Sequence, residues 1–383
     1  MYQIQSFNGT ALPEKTLCLT FDDGPGSHTI AIARFLFEKK IQATFFVVGK
    51  YAFHHPEILL ELKQMKHLIG NHTYDHPDLP YYLSADGDVL DQVLRTDTLI
   101  KPYLDSERIY FRAPYGKWSA EVANNLNNSI LTANHIGPIH WEIAGVDCYY
   151  WQNEWPVADA AARYLTDIER AGHGIIVMHD EIADMDVVKP RNKTLELLQI
   201  LIPKLLNLGY NFVRLDDIPS IKEASTEKVI FTLRDVKGKY LSLKNEFEVW
   251  VDGQPNDPQN ILQLTDLGYG KVALKTVNNL FLSATGNATY TVTANSSTIG
   301  EAETFDLIPV NKNSFMLRCT NGYFLTIENH KLSSKAQYMR QASIFKYANH
   351  NTAVKESITF KQKLSLYKKQ FLFIKSKLKQ KIS

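Results

Sequence analysis

Over the first 220 residues, short runs rich in β-forming residues alternate with longer helix-like stretches. The β-rich runs are Thr16–Phe21, Ala43–Val48, His67–His72, Arg108–Arg112, Pro138–Ile143, Gly174–Met178 and Asn211–Leu215. Strand–helix alternation is typical of a parallel sheet, because parallel neighbours need a long crossover connection. The sequence therefore predicts an α/β fold whose parallel sheet closes into a barrel.

Two polar motifs follow strands of this predicted barrel. Thr20–Gly26 carries the adjacent carboxylates Asp22 and Asp23, and about fifty residues later comes His72-Thr-Tyr-Asp-His76. Two histidines four residues apart lie on one side of a helical turn and can bind one metal ion. A carboxylate is the usual third ligand where a position stays open for water. One aspartate is thus expected to bind the metal and the other to take a proton from the water, although either motif alone also suits a polar turn.

Residues 16–218 resemble the polysaccharide deacetylase (NodB homology) domain of carbohydrate esterase family four. Five motifs occur in the family's order: Thr20–Gly26, His72–His76, Arg112–Tyr115, a degenerate motif around Asp147, and Ile175–Asp180. The resemblance implies an irregular (β/α)7 barrel. Each motif lies at the C-terminal end of a predicted strand, where (β/α) barrels place their chemistry.

The resemblance also implies a metal-dependent hydrolase that removes N-acetyl groups from amino-sugar residues of a glycan. Asp23, His72 and His76 would hold one divalent ion, which polarises the amide carbonyl and lowers the pKa of a bound water. Two nitrogens and one oxygen suit zinc best, and cobalt or nickel would also fit.

Catalytic roles follow from the same motifs. Asp22 would be the general base, and Arg112 would orient it. The backbone N–H of Tyr115 would stabilise the oxyanion. His179 would be the general acid, and Asp147 would orient it. The family usually has tryptophan after the fourth-motif aspartate and leucine two residues before the fifth-motif histidine. Here these positions hold Cys148 and Val177, so the acetyl pocket is expected to be either wider or filled by a nearby ring from Tyr149–Trp155. An O-acetyl (xylan-type) esterase, since the same family includes such esterases, and a non-catalytic glycan-binding protein remain alternatives.

Whole-chain features bear on partners and location. The formal net charge of +1 predicts no nucleic-acid partner. Three scattered cysteines form no CxxC pair, which favours a reducing compartment. Residues 1–15 lack a signal peptide, so a cytoplasmic location is expected, with extracellular or cell-surface location by non-classical export as the alternative.

Helical periodicity ends near Ser220, and β-rich runs follow a short polar stretch. This change predicts a barrel domain at 1–220, a linker at 221–228 and an all-β domain at 229–350. Gly238–Ser242 recurs as Asn279–Ser283 and Gly322–Thr326. This period of about 42 residues predicts three repeat units. The pattern resembles a fascin-like β-trefoil, for which sugar binding is expected, whereas the repeated aromatic and leucine positions are expected in the core.

Residues 351–383 form a third segment. An apolar stripe recurs every three or four residues from Phe360 to Ile382, and nine lysines occupy other positions between Lys355 and Lys381. The spacing predicts a basic amphipathic helix. Such a helix would either dock on a protein surface or bind an anionic membrane.

Overall fold

The computed structural model describes residues 2–143, 146–226, 230–268, 270–284, 290–311 and 314–349. The chain divides into two compact units, Met1–Glu227 and Lys228–Ser383. Within the described ranges, every helix is too short or too polar to cross a membrane. The predicted basic helix at 351–383 lies outside the described residues, and its association with a membrane stays a prediction.

The first unit alternates strands and helices along the chain. Its strands are β1 (Tyr2–Phe7), β2 (Thr16–Asp22), β3 (Thr44–Val47), β4 (Leu68–Asn71), β5 (Ile109–Tyr110), β6 (His135–Ile139), β7 (Gly174–His179) and β8 (Asn211–Phe212). Its helices are α1 (Thr29–Glu38), α2 (Gly49–His54), α3 (Pro56–Gln64), α4 (Leu79–Ser84), α5 (Val89–Ile100), α6 (Ala120–Asn127), α7 (Asp147–Gln152), α8 (Val157–Ala171), α9 (Thr194–Asn207) and α10 (Pro219–Thr226). The α/β alternation expected from the sequence is therefore confirmed.

The strands of this unit are parallel and form two sheets, in the orders β4-β3-β2-β7 and β1-β6-β5, with β8 paired to β2. Isolated parallel bridges between Asn71 and Phe111 and between Ile143 and Ile176 connect the two sheets. All seven predicted strands have counterparts, but β8 pairs only with the start of β2, and β2 pairs directly with β7. The ring of strands is therefore completed by these two bridges, and β8 extends the sheet beside β2 without separating β2 from β7.

Strand β2 lies at the centre of the first unit. All seven of its residues are buried, as expected for a strand covered on both faces. Helices α1 and α9 contribute Leu36 and Leu201 to the same core, and the rings of Phe21 and Phe45 stack at 4.9 Å. Because β2 is fixed on both sides, the motif that follows it begins from a rigid position.

Two features of the first unit differ from the sequence prediction. Strand β1 was not predicted, and its Tyr2 is buried with its ring stacked on His135 at 5.3 Å. Residues 221–226, predicted as a linker, instead belong to helix α10. Proline is well suited to the first turn of a helix, and Pro219 opens α10. Ile221 is buried with Leu215 and Ile218, which holds this helix on the barrel unit.

The second unit is all-β and antiparallel. Its strands are β9 (Ile230–Arg234), β10 (Tyr240–Lys244), β11 (Glu248–Gly253), β12 (Leu262–Gly268), β13 (Lys271–Thr276), β14 (Phe281–Ser283), β15 (Thr293–Ser296), β16 (Phe305–Asn311), β17 (Ser314–Cys319), β18 (Phe324–Glu328), β19 (Lys331–Ala336) and β20 (Phe345–Asn349). Six of them pair in a closed ring, β9-β12-β13-β16-β17-β20. The hairpins β10–β11, β14–β15 and β18–β19 are joined by pairings of β11 with β15 and β19.

The sequence repeat has a common backbone conformation. Gly238, Asn279 and Gly322 have φ values of 80°, 63° and 89°, in the left-handed region that glycine and asparagine tolerate best. Each donates its backbone N–H to the carbonyl three residues earlier. The repeated leucines Leu233, Leu274 and Leu317 are buried, as expected.

Candidate active site

The predicted functional residues lie where strands β2, β4 and β7 end. Asp22 is the last residue of β2 and His179 the last of β7, and the two are direct register partners in neighbouring parallel strands. His72 follows the last residue of β4. The three motifs therefore meet at one end of the barrel because their strands are parallel.

The structure brings the predicted metal ligands together. The Oδ1 atom of Asp23 lies 3.1 Å from His76 Nε2 and 3.5 Å from His72 Nε2. All three residues are buried, and their ligand atoms lie within 4.8 Å of one another. Two imidazole nitrogens and a carboxylate oxygen in this arrangement are a donor set that binds zinc in proteins.

The remaining nitrogen of each histidine has its own acceptor. His72 Nδ1 donates to the backbone carbonyl of Arg112 at 2.8 Å, and His76 Nδ1 donates to Asp184 Oδ2 at 2.5 Å. Each of these bonds uses the proton on Nδ1, so the Nε2 atoms of both rings are the ones that face Asp23. The residues present therefore fit a divalent metal.

The helical turn predicted for the two histidines is wrong. Residues 72–76 form a loop, in which Thr73 and His76 have φ values of 67° and 64°. Asn71 holds this loop, because its Oδ1 accepts from Thr73 N at 2.8 Å while its Nδ2 donates to Asp97 Oδ1 at 2.8 Å and to the Val93 carbonyl. The histidine rings nevertheless lie 5.0 Å apart, so a loop serves where a helix was expected.

Asp23 also has an unusual backbone, with φ at 78°. Left-handed conformations of non-glycine residues cost about 1–3 kcal/mol each. The donation from Ala183 N to Asp23 Oδ2 at 2.9 Å holds this conformation. Burial would raise the pKa of Asp23, but hydrogen bonds from His72 and His76 hold that pKa well below its ordinary value.

Asp22 points to Arg112, as predicted. Arg112 Nη1 donates to Asp22 Oδ1 at 2.7 Å and to Thr20 Oγ1 at 2.8 Å, and its Nε donates to the Ile139 carbonyl. The guanidinium is fully buried and lies 4.3 Å from the centre of the Phe46 ring. The other carboxylate oxygen of Asp22 lies 3.9 Å from His72 Nε2. Asp22 is thus oriented beside the metal-binding group without belonging to it.

His179 and Asp147 form a second pair. His179 Nδ1 donates to Asp147 Oδ1 at 2.9 Å, and the backbone N–H of His179 donates to Asp147 Oδ2 at 2.7 Å. Asp147 is fully buried, whereas 19% of the His179 side chain is exposed. Burial would lower the pKa of His179, but the Asp147 carboxylate raises it well above its ordinary value. The Asp147 carboxylate therefore favours the protonated form of His179, whose ring keeps one edge open to solvent.

Asp180 and Asp184 were not assigned a role from the sequence. Asp180 is buried and holds the loop after β2, since it accepts from Gly24 N at 3.2 Å and Thr29 Oγ1 at 2.5 Å. Burial raises the pKa of Asp180 to about 8. A Cβ on Gly24 would lie 2.1 Å from Asp180 Oδ2, so only glycine fits there. Asp184 accepts from both His76 and the hydroxyl of Tyr115.

Tyr115 lies in a short turn, Pro114–Gly116, and has φ at 57°. Its ring centre lies 4.6 Å from that of His76, so the turn borders the metal-binding group as predicted. The structure therefore brings the predicted metal ligands together, pairs Asp22 with Arg112 and His179 with Asp147, and places Tyr115 beside His76. Nothing in its spacing distinguishes Asp184 from its acidic neighbours Glu181 and Asp186, and for that reason the sequence did not reveal it.

Two family models match parts of this chain. The polysaccharide deacetylase family model matches residues 9–133, and the FRG1-like domain model matches residues 248–382. A chitooligosaccharide deacetylase of Sinorhizobium fredii is 35% identical over 214 residues, which are 53% of this chain and 90% of that protein. The peptidoglycan-N-acetylglucosamine deacetylase PgdA of Listeria monocytogenes is 28% identical over 54% of this chain and 40% of its own.

Among solved structures, the peptidoglycan deacetylase PdaC from Bacillus subtilis is similar with a TM-score of 0.43 and 24% identity, over 55% of this chain and 93% of that one. The similarity to the Sinorhizobium fredii protein extends over 90% of its length. This chain belongs to the polysaccharide deacetylase family.

Proposed function

We propose that this chain is a metal-dependent deacetylase that hydrolyses the N-acetyl amide of amino-sugar residues in a glycan. One observation carries the proposal. Asp22, held by Arg112, and His179, held by Asp147, are register partners at the strand ends, and Asp23 of the metal-binding group directly follows Asp22. A base and an acid beside a metal-binding group are what hydrolysis of an unreactive amide requires.

The metal would be held by Asp23, His72 and His76, and when bound it would polarise the amide carbonyl and favour ionisation of water. Asp22 takes a proton from the attacking water, and the buried Arg112 keeps its carboxylate in place. The backbone N–H of Tyr115 donates to the carbonyl oxygen as negative charge develops there. His179 protonates the leaving amine nitrogen, and Asp147 holds its ring in the required orientation.

Acetylated chito-oligosaccharides are the substrates with which to test this function, because the chain's relatives named for chitooligosaccharide and peptidoglycan N-acetylglucosamine deacetylation share this domain. We expect one acetate per hydrolysed residue, with loss of the acetyl mass from the oligomer. The same assay on acetylated xylan and on a chromogenic acetate ester tests the O-acetyl esterase alternative. Binding of the oligomer without acetate release from any of these substrates would instead support a glycan-binding protein.

The second unit is proposed to be a β-trefoil that binds sugar. Six strands in a closed ring, three hairpins and the threefold recurrence of one turn support this architecture. The match to the FRG1-like domain model over residues 248–382 is consistent with it. The role of the second unit is tested by comparing the glycan affinity of the full chain with that of the barrel unit alone.

A further inference from the structure

Asp184 bridges two parts of the candidate site. Its Oδ2 atom accepts a hydrogen bond from His76 Nδ1 at 2.5 Å and a second one from the hydroxyl of Tyr115. His76 belongs to the loop after β4, Tyr115 to the turn after β5, and Asp184 to the loop after β7. A single carboxylate oxygen thus connects three segments that are far apart in the sequence.

We propose that Asp184 is a positioning residue that fixes the ring of His76 for metal binding and, through the phenol, the Tyr115 turn for oxyanion stabilisation. The inference rests on the proposed function for its catalytic half. Its metal-binding half requires only that His76 is a ligand. No other side chain in the described part of the chain is recorded in hydrogen bonds to both residues.

The two histidines differ in what holds them. The acceptor for His72 is the backbone carbonyl of Arg112, which follows β5 and is fixed by the barrel. The acceptor for His76 is a side chain on a loop, and 41% of that side chain is exposed. Outer-sphere carboxylates of this kind fix both the tautomer and the ring orientation of a metal-binding histidine. The orientation of His76 therefore depends on the Asp184 side chain, whereas that of His72 depends on a backbone carbonyl.

Tyr115 needs a similar restraint. Its backbone is left-handed at φ 57°, which is unfavourable for a bulky residue, and the residue is 54% exposed. Beyond the backbone hydrogen bonds of the turn, the contacts that restrain this side chain include the tilted ring of His76, with centres 4.6 Å apart, and the hydroxyl bond to Asp184. Removing the carboxylate would leave the turn free to relax, which moves the backbone N–H away from the developing oxyanion.

The loop that carries Asp184 has anchors of its own. Ala183 donates its N–H to Asp23, and its carbonyl accepts from the hydroxyl of Tyr51 at 2.7 Å. Further along, Asp186 makes an exposed ion pair with Lys189 at 2.7 Å, a kind of contact that contributes little to stability. Because these contacts do not involve the Asp184 side chain, truncation of that side chain should leave the loop in place.

Four variants test the inference: Asp184→Ala, Asp184→Asn, Tyr115→Phe and the control Asp186→Asn. Asp186 lies two residues away in the same loop with a side chain 89% exposed. The dissociation constant for Zn²⁺ is measured by competition with a chromogenic chelator, and kcat and KM are measured on a chito-oligosaccharide at saturating zinc. Thermal unfolding of the metal-free proteins identifies any variant that fails to fold.

Asp184→Ala should weaken zinc binding by about 10–100-fold, and Asp184→Asn by less, because the amide keeps one acceptor oxygen without the charge. Tyr115→Phe should leave the zinc dissociation constant within about two-fold and lower kcat more than it raises KM. Asp186→Asn should change neither quantity. Folded Asp184→Ala and Asp184→Asn that both bind zinc as tightly as Asp186→Asn would overturn the inference.

Zinc affinity and acetate release together distinguish a failure of the positioning role from a failure of the proposed function. If the unmodified protein binds zinc but releases no acetate from any glycan, the proposed function fails. The loss of zinc affinity in Asp184→Ala would then still support the positioning of His76. If acetate is released normally and the affinity does not change, the positioning role fails alone.

Discussion

Asp22 and His179 are direct register partners at the ends of the neighbouring parallel strands β2 and β7. Adjacent parallel strands lie about 4.8 Å apart, so one strand pair delivers both the proposed base and the proposed acid. Each then has its own clamp, Arg112 at 2.7 Å for Asp22 and Asp147 at 2.9 Å for His179. The proton-transfer groups are thus set by the sheet rather than by loops.

The first prediction concerns the metal. Replacing His72 and His76 together with alanine should remove both the bound divalent ion and the activity, because two of the three donor atoms are lost. Elemental analysis of the purified variant is the measurement. Stoichiometric metal in that variant would show that the ion binds elsewhere.

The second prediction separates the two aspartates. Asp22→Asn should keep the metal and lose about two to four orders of magnitude in kcat, because the base is removed while the ligands stay. Asp23→Asn should instead weaken metal binding. Metal content and single-turnover rates of the two variants are to be compared, and the opposite pattern would mean that the assignments are exchanged.

The third prediction concerns the pH dependence of kcat. An acid catalyst must be protonated, so kcat should fall on the alkaline side as the pH rises through the raised pKa of His179. The Asp147 carboxylate raises that pKa, so Asp147→Asn should move the alkaline limb to lower pH as well as reduce the rate. Asp186→Asn is the control, and a limb that does not move in Asp147→Asn would exclude His179 as its source.

The fourth prediction concerns stability. Burial raises the pKa of Asp180 from 3.8 to about 8, so the folded protein keeps a proton that the unfolded chain loses in this range. The contribution of Asp180 to the free energy of unfolding is therefore fully present below its pKa in the unfolded chain. It falls by up to about 1 kcal/mol per pH unit as the pH rises towards its pKa in the folded protein.

Asp180→Asn cannot ionise and should remove this slope. Urea unfolding at about pH 5 and about pH 8 should then show a smaller loss of stability in Asp180→Asn than in the unmodified protein. Asp186→Asn serves as the control for removal of a charge, because the pKa of Asp186 is lowered and lies outside the range. Equal slopes in all three proteins would show that Asp180 is ionised throughout.

The fifth prediction concerns the second unit. A chain that ends at Thr226 keeps helix α10, whose buried Ile221 belongs to the barrel core. It should deacetylate a short soluble oligomer as fast as the full chain and lose activity on an insoluble polymer. Equal rates of the two proteins on every polymer would leave the second unit without a role in glycan binding. A cut at Ser220 should be destabilised, because it removes Ile221.

The sequence was sufficient to predict the α/β alternation, the all-β second unit and the residues that meet at the candidate site. Each motif follows a strand, and parallel strands bring their ends together whatever the length of the connections. The features that were missed depend on tertiary contacts that leave no periodic signal. The loop at 72–76 is held by the Asn71 side chain against Asp97, and β1 is held by the packing of Tyr2.

The same reasoning accounts for the other differences. Strand β8 contributes only two residues, and its pairing with Thr16 and Leu17 depends on where α9 delivers the chain. Residues 221–226 have the polar composition of a linker, yet Ile221 and Ala224 pack against the barrel core and the Ser225 carbonyl accepts a hydrogen bond from Arg108. Asp184 has a role only through its distance to His76 and Tyr115, which no spacing in the sequence encodes.

Arg112 serves the site through two chemically independent groups. Its guanidinium orients Asp22, whereas its backbone carbonyl orients His72. A substitution at this position would remove the first contact and keep the second, since every residue supplies the same carbonyl. A single substitution at Arg112 is therefore expected to abolish catalysis while the metal-binding residues stay in place. In a relative with another residue at this position, a metal ion bound at full occupancy would not show that the protein is still active.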